Sequence, residues 1–263
     1  MQTCSFNDGY LYKLYGGKTF NWMRGLTLVE LMIGLLLSSM LVVAIFQLLL
    51  SVRGLSAQAQ ASASLVARAS YVSTYLMSHL VEAGYAPVSE PRPYPVGVEG
   101  AFAGMDHPLY DQIVLLSHGG RGCTDLALNS GEALSWRRFS VGQSNGRSEL
   151  RCTDSEGGPY PVLEGVDALQ VQYGVDANRD GSPDYYTNFL NLPKGAPIVA
   201  LRVGLLLRSD VPARYGLLNP QVGVGALDLL DQQLPTVGAS RIDQADGYLR
   251  KAQVITVALR NLM

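Results

Sequence analysis

The chain has 263 residues, a formal net charge of -2 and 48% hydrophobic residues, which is enough for a membrane segment and one sizeable globular domain. A charge this close to neutral lacks the basic field of nucleic-acid-binding proteins, so no nucleic-acid partner is expected. Residues 1–25 are polar and carry Lys13, Lys18 and Arg24 against one acidic side chain, Asp8. Positive charge beside an apolar segment stays in the cytoplasm, so the rest of the chain is expected to be translocated.

Residues 26–50 form an apolar run in which Glu30 is the one ionisable side chain. Roughly 20 apolar residues in a helix span the hydrocarbon core of a bilayer, so this run predicts a transmembrane helix. A carboxylate inside such a helix costs a few kcal/mol and requires an explanation. An ordinary secretory signal peptide has a small-residue cleavage site after its apolar region, whereas here the small residue, Gly25, precedes it.

The sequence Gly25-Leu26-Thr27-Leu28-Val29-Glu30, with the long apolar run behind it, resembles the class III signal of type IV prepilins and type II secretion pseudopilins. The resemblance implies that a prepilin peptidase removes residues 1–25 by cleavage between Gly25 and Leu26, and that the new N-terminus, Leu26, is N-methylated. The usual first mature residue of the family is Phe, and Leu26 is a hydrophobic departure from that pattern.

The same resemblance gives Glu30 a function in assembly. It implies a salt bridge between the carboxylate of Glu30 and the N-terminal amine of a neighbouring subunit, because an unpaired carboxylate in a water-free helical bundle is costly. The alternative is that Glu30 lies near the membrane interface and is solvated by lipid headgroups.

Residues 51–84 predict a continuation of the helix beyond the membrane. The segment lacks Pro, is rich in Ala, and has apolar residues at steps of three or four, which indicates one buried helical face. The expected end of the helix is Gly84. The residues of the predicted buried face are Leu65, Ala69, Val72, Leu76, Leu80 and Ala83.

Residues 85–263 predict a β-rich globular domain. Residues 86–110 are rich in Pro and Gly and indicate a surface connection, residues 211–247 indicate an irregular insertion, and Asn145-Gly146 is a hairpin signal. The predicted fold class is α+β, with the long N-terminal helix packed on an antiparallel β-sheet. The strand candidates are residues 111–118, 132–141, 147–152, 166–175, 196–210 and 249–261.

Two cysteines, Cys123 and Cys152, follow the membrane segment, and a third, Cys4, precedes it. A pair of cysteines in a translocated domain predicts one disulfide in an oxidising compartment. The alternative is a pair of buried free thiols.

Several short strings in the mature chain are similar in order to the PilW-type minor pilins: HLVEAGYAP, GVDALQVQYGVDANRDGSPDYY, LLLRS and TVALRN. The resemblance implies an inner-membrane protein with its C-terminal domain in the periplasm, which enters the priming or tip complex of a type IV pilus. The implied partners are other minor pilins, the major pilin, a PilY-type tip adhesin and the prepilin peptidase. The alternatives are a J-type minor pseudopilin of a type II secretion system and, from another class, a membrane-tethered periplasmic enzyme or binding protein.

Residues 176–184 fit the pattern D-x-N-x-D-G-x-x-D, with Asp176, Asn178, Asp180 and Asp184 as oxygen ligands. Ligands at positions 1, 3 and 5 with Gly at 6 are how an EF-hand-type loop wraps Ca²⁺. Position 12 is Thr187 rather than the bidentate Glu, so any Ca²⁺ affinity is expected to be weak. The alternative is an Asp- and Gly-containing turn between strands, which needs no ion.

The sequence does not favour an enzyme. Residues 142–146 match G-x-S-x-G, but a nucleophile elbow requires a helix after the serine, and a strand is predicted there. His79, His107 and His118 have no metal-ligand spacing, and His79 is expected to be an ordinary half-buried residue of the long helix.

Overall fold

A computed structural model of the protein describes residues 27–97, 110–128, 134–212, 227–230, 232–234 and 248–262. The chain divides into two compact units, Met1–Leu49 and Leu50–Met263. Helix α1 (Leu28–Val81) contributes its first part to one unit and its second part to the other.

In the first unit, α1 begins after Thr27, whose Oγ1 accepts a hydrogen bond of 3.2 Å from the backbone N–H of Glu30. Thr is a favourable N-cap, and an acidic residue in the first turn interacts well with the helix dipole. Among the described residues, α1 is the helix that is long and apolar enough to cross a membrane, with a mean hydropathy of 2.5 over its most apolar window. Length and composition therefore fit the predicted membrane anchor.

In the second unit, one face of α1 packs into the domain core. All six residues of the predicted buried face are at most 5% exposed, which confirms the helical periodicity. The helix ends at Val81, three residues before the predicted stop. Gly84 has a φ of 76°, and its N–H donates to the carbonyl of Leu116 at 2.8 Å, so the glycine directs the chain away from the helix.

The strands of the domain form antiparallel sheets. The first sheet has the order β1-β2-β3-β4, the second has the order β10-β7-β5-β6, and β8 and β9 pair with each other. A 3-10 turn (Arg260–Leu262) follows the last strand. The strands are β1 (Ile113–His118), β2 (Leu134–Ser144), β3 (Arg147–Asp154), β4 (Gly157–Glu164), β5 (Val166–Val175), β6 (Tyr185–Thr187), β7 (Ile198–Arg208), β8 (Leu227–Leu229), β9 (Gln232–Leu234) and β10 (Arg250–Ala258).

One hydrophobic core joins the buried face of α1 to both four-stranded sheets. Strand β5 is buried along its whole length because its second face is also covered. Leu229 of β8 packs there against Ala168 and Leu206. A Cβ on Gly204 would lie 3.0 Å from the Leu229 side chain, so the glycine permits this close approach.

The predicted fold class, a long N-terminal helix with an antiparallel β-domain, is confirmed, with differences in the strands. The single predicted sheet is two four-stranded sheets. Strand β4 was not predicted, because Pro159 and Pro161 lie within it and proline within a run argues against a strand. The three-residue strands β6, β8 and β9 were also missed, and the last two lie in the predicted irregular insertion 211–247.

The predicted hairpin turn is present between β2 and β3. Asn145 and Gly146 have φ values of 51° and 74°, as the two central residues of a type I′ turn require. The chain therefore continues from the G-x-S-x-G pattern into a strand, so the pattern is part of a hairpin, not a nucleophile elbow.

Candidate functional site

The membrane-side candidate residues lie at the start of the chain. Gly25 and Leu26 lie outside the described residues, so their cleavage and methylation remain predictions. Glu30 is exposed in the first turn of α1, and its carboxylate forms no ion pair within the described part of the chain. An acceptor for a partner's cation is therefore available at this end of the helix.

The other end of α1 is held by a buried arginine of the first sheet. Ser135, Arg137 and Phe139 alternate along β2 and are all 0% exposed, so the arginine points inward between an apolar and a small polar side chain. Its Nη1 donates to Oε2 of Glu82 at 2.6 Å, which links the arginine to the residue that directly follows the helix. A buried charge is tolerated only with such partners.

Two further hydrogen bonds complete the environment of Arg137. Nη1 also donates to the carbonyl of Arg121 at 2.9 Å, and Nη2 donates to Oγ of Ser117 at 2.6 Å. The guanidinium thus joins the end of α1, strand β1 and the loop that follows β1.

His79 lies beside this guanidinium and is 0% exposed, so the prediction of an ordinary half-buried histidine is wrong. Its ring packs against Tyr75 and Phe139, with centroids 4.6 and 5.6 Å away. Nδ1 lies 3.5 Å from Nη1 of Arg137, and Nε2 lies 3.8 Å from a carboxylate oxygen of Asp125. Burial, followed by the charge of Arg137, lowers the pKa of His79 to about 4. The imidazole is therefore neutral at pH 7.

Glu82 remains ionised in the same cluster. Burial raises the pKa of its carboxyl, but hydrogen bonds from the backbone N–H of Arg121 and from Arg137 outweigh this effect, and the net pKa is lowered. The N–H of Arg121 lies 3.0 Å from Oε2 of Glu82. A charge-assisted network therefore attaches the C-terminal end of the helix, through the residue that follows it, to the first sheet. We call Arg137, Glu82, His79 and Ser117 the junction cluster.

The structure contains the predicted disulfide between Cys123 and Cys152, with a Cα–Cα distance of 5.6 Å. The hydroxyl of Tyr75 on α1 donates to the carbonyl of Cys123 at 2.9 Å, and the N–H of Cys123 donates to Asp154 at 2.7 Å. Closing a loop over a sequence separation of 29 stabilises the fold by roughly 3–4 kcal/mol in the chain-entropy model. The disulfide fixes the loop after β1 beside the junction cluster.

The structure brings together the four predicted calcium ligands. Asn178 Nδ2 lies 3.0 Å from Asp180 and 3.2 Å from Asp184. The two oxygens of Asp176 accept hydrogen bonds from the N–H groups of Asp180 and Gly181. The loop's own donors thus satisfy these oxygens, and no group of three or more His, Cys, Asp or Glu side chains among the described residues is arranged to hold a metal ion.

A cavity of about 640 Å³ lies next to this loop. Arg92 and Arg179 contribute cationic side chains, and the start of β7 contributes apolar ones. Arg179 adopts a φ of 63°, which is uncommon for a residue with a side chain. The other lining residues are Pro93, Tyr94, Pro95, Asp176, Asp180, Gly181, Pro197, Ile198 and Val199.

His118 and His79 belong to no group of three or more His, Cys, Asp or Glu side chains that could hold a metal ion within the described residues. His107 lies outside them, and His118 ends β1.

Comparisons with known proteins show a similarity to pilus-assembly proteins in the second half of the chain. Residues 138–261 match the family of the type IV pilus-assembly protein W (PilW). A solved structure of a type IV-like pilin from Thermus thermophilus is 20% identical, covers 75% of this chain and 98% of its own, and has a TM-score of 0.43. A search of curated proteins found no match. The predicted resemblance to the PilW-type pilus proteins is therefore confirmed, and residues 138–261 carry it.

Proposed function

We propose that this chain is a minor pilin, a structural subunit of the priming or tip complex that initiates assembly of a type IV pilus. The observation that carries the proposal is the match of residues 138–261 to the PilW family. The apolar helix at the other end of the chain supports it, because a subunit that waits in the inner membrane requires such an anchor. The β-domain then lies in the periplasm, where its disulfide is stable. The role is structural rather than catalytic.

A second feature that supports assembly is the exposed face of α1 in the domain unit. Seven exposed residues recur there at steps of three and four, and none is charged. An uncharged face with this spacing suits packing against another helix. In a pilus that helix would belong to a neighbouring subunit. The seven residues are Ala59, Ala63, Val66, Ser70, Thr74, Met77 and Val81.

Co-expression of the full chain with a prepilin peptidase tests whether the protein is a pilin. The expected result is loss of residues 1–25 and a methylated N-terminus at Leu26, both read by mass spectrometry. An intact Gly25–Leu26 bond would contradict the pilin assignment. Deletion of the gene in the cell that produces the protein then distinguishes a type IV pilus from a type II secretion system. Loss of surface pili with normal protein secretion supports the pilus. Lost secretion with intact pili would instead indicate the J-type pseudopilin.

Replacing Glu30 tests its predicted salt bridge with a neighbouring N-terminus. We expect Glu30→Ala and Glu30→Gln to insert normally but to co-purify at least ~10-fold less with the other minor pilins, since about 1.4 kcal/mol is tenfold in association. Ser38→Ala, a substitution elsewhere in the same segment, is the control and should assemble normally. Unchanged recovery of the partners with Glu30→Gln would exclude the salt bridge.

We also propose that residues 176–184 bind Ca²⁺ weakly, with a Kd of about 10⁻⁴ to 10⁻³ M. At about 10 mM Ca²⁺ such binding stabilises the domain by about 1.4 to 2.7 kcal/mol, which thermal unfolding and calorimetric titration both detect. Asp180→Asn retains an acceptor for the N–H of Ser182 but removes a charge, and should abolish the effect. The control is Glu156→Gln, at an exposed residue outside the loop. No heat and no stabilisation at millimolar Ca²⁺ would refute the site.

A further inference from the structure

Among the described residues, strand β10 is the edge of the second sheet and pairs with β7 alone. The N–H of Leu259 donates to Val199, and the N–H of Ser209 donates to Leu249, at 2.8 and 2.9 Å. In an antiparallel ladder the residues that bond a given neighbour alternate along the strand. The odd-numbered residues of β10 therefore bond β7, and the even-numbered residues direct their backbone groups away from it.

In the middle of β10 the outward backbone groups belong to Ala252, Val254 and Thr256. None of the three has a hydrogen-bond partner among the described residues. All three are exposed, and Val254 is 46% exposed. The middle of the strand thus presents a row of donors and acceptors that no described residue satisfies, which is the arrangement that accepts an additional strand.

The other edges of the two four-stranded sheets are blocked. Residues 84–85 and 95–97 donate or accept backbone hydrogen bonds along the outer edge of β1. Strand β4 contains Pro159 and Pro161, which lack an N–H, and β6 has three residues. Natural sheets use such covering, prolines and short strands to prevent pairing with other chains. Of the four edges of these two sheets, β10 alone is long, free of proline and not covered by other described residues.

The composition of β10 favours a copy of itself as the partner. Arg250 and Lys251 are its two charged residues, and both lie at its start. An antiparallel copy places them opposite Ala258 and Val257, whereas a parallel copy in register places like charges side by side, which is destabilising. The antiparallel register with Val254 opposite Val254 pairs all nine residues and opposes no like charges.

We propose that β10 of one copy pairs with β10 of a second copy in this antiparallel register, so that the second sheets of two protomers become one continuous sheet. The proposal goes beyond the pilin assignment, because it depends on the sheet edge and not on the membrane segment. Val254 then faces its own counterpart in a hydrogen-bonded pair, with Cα atoms about 5.5 Å apart. That distance allows a disulfide between cysteines.

Cysteine cross-linking of the full chain in its membrane tests the register. In a Cys4→Ser background, Val254→Cys should give a disulfide-linked dimer on oxidation. Ala252→Cys alone should not, since it lies four residues, about 14 Å, from its own counterpart. A mixture of Ala252→Cys and Thr256→Cys protomers should cross-link, because these residues oppose each other. We expect Val254→Cys to dimerise at least ~10-fold more than Ala252→Cys alone.

A matched pair of proline substitutions separates pairing from folding. Val254→Pro removes an outward N–H and should abolish cross-linking between Ala252→Cys and Thr256→Cys while preserving the melting temperature. Ile255→Pro removes an N–H that bonds β7 and should lower the melting temperature. The proposal is overturned if no variant cross-links, if Ala252→Cys cross-links with itself, or if Val254→Cys links to a different protein and not to a second copy.

Discussion

Replacing Arg137 with methionine is expected to lower the free energy of unfolding by about 3 kcal/mol, since removing one partner of a buried ion pair leaves the other uncompensated. Methionine fills a similar length but donates no hydrogen bond. Glu82, Ser117 and the carbonyl of Arg121 would then lose their shared donor. The measurement is thermal or urea unfolding of the full chain in detergent.

The neighbouring arginine provides a matched control. Arg138 lies on the opposite face of β2, is half-buried and lies 5.3 Å from the ring of Trp136. We expect Arg138→Met to cost less than about 1 kcal/mol, as is usual for partly exposed cation–π contacts and ion pairs. Equal losses for Arg137→Met and Arg138→Met would show that the junction cluster does not stabilise the fold.

A double-mutant cycle then measures the coupling between sheet and helix. Glu82→Gln should cost less than Arg137→Met, because the Glu82 side chain is 26% exposed and water compensates part of its loss. The double variant should cost less than the sum of the two single changes, since both remove the same contact. Additive losses would show that Arg137 stabilises the fold through its hydrogen bonds to Ser117 and to the backbone, and not through Glu82.

The parts of the fold that could be predicted from the sequence are those with a clear period. The steps of three and four through Leu65, Val72 and Leu80 require one buried helical face, and no other arrangement buries them together. Strand β7 was predicted by its run of β-branched and aliphatic residues, and the hairpin by Asn145-Gly146, which tolerate positive φ. In each case local chemistry and tertiary structure favour the same conformation.

Other parts depend on contacts that the sequence does not show. Strand β4 forms despite its two prolines because it is an edge strand, where a missing N–H faces outward. The number of sheets depends on how β2 and β3 lie against β5, which no local pattern encodes. Strand β8 is short, and its role in covering β5 comes from the packing of Leu229 on the second sheet.

The junction cluster was missed because its members resemble surface residues in isolation. Adjacent arginines at 137 and 138 normally indicate a solvated strand face. The two-residue period places Phe139, Arg137 and Ser135 on one side of the strand. The other side carries Trp136, which is equally apolar, so the sequence did not show that the side with Arg137 is the buried one.

Acidification is expected to weaken the fold through His79. The pKa of this histidine is 6.5 in the unfolded chain and about 4 in the folded one, so the unfolded state binds more protons between these values. The contribution of neutral His79 is complete above pH 6.5 and is lost as the pH falls towards 4. A pKa difference of this size corresponds to about 3 kcal/mol. Glu82, whose pKa is also lowered, loses its contribution at lower pH, below its unfolded value of about 4.5.

Protonation of the buried His79 is unfavourable because of the hydrogen-bond donors that surround its ring. Both N–H groups of Nη1 already donate to Glu82 and to the carbonyl of Arg121, and a guanidinium has no acceptor, so an N–H at Nδ1 of His79, 3.5 Å from Nη1, would point at a cation. Protonation of His79 places a second cation and a second donor against the guanidinium. Two carboxylates could compensate, but Asp125 is 3.8 Å from the ring, and Glu82 is already bound to Arg137.

The measurement is the free energy of unfolding at pH 7 and pH 4.5 for the parent chain and for His79→Asn, which retains an acceptor but does not titrate. The parent should lose about 2–3 kcal/mol over this interval, and the variant should lose markedly less. His118→Asn, at the half-buried end of β1, is the control and should retain the parent's dependence on pH. If His79→Asn retains it too, the acid sensitivity belongs to other groups, and the imidazole is not held neutral by its burial beside Arg137.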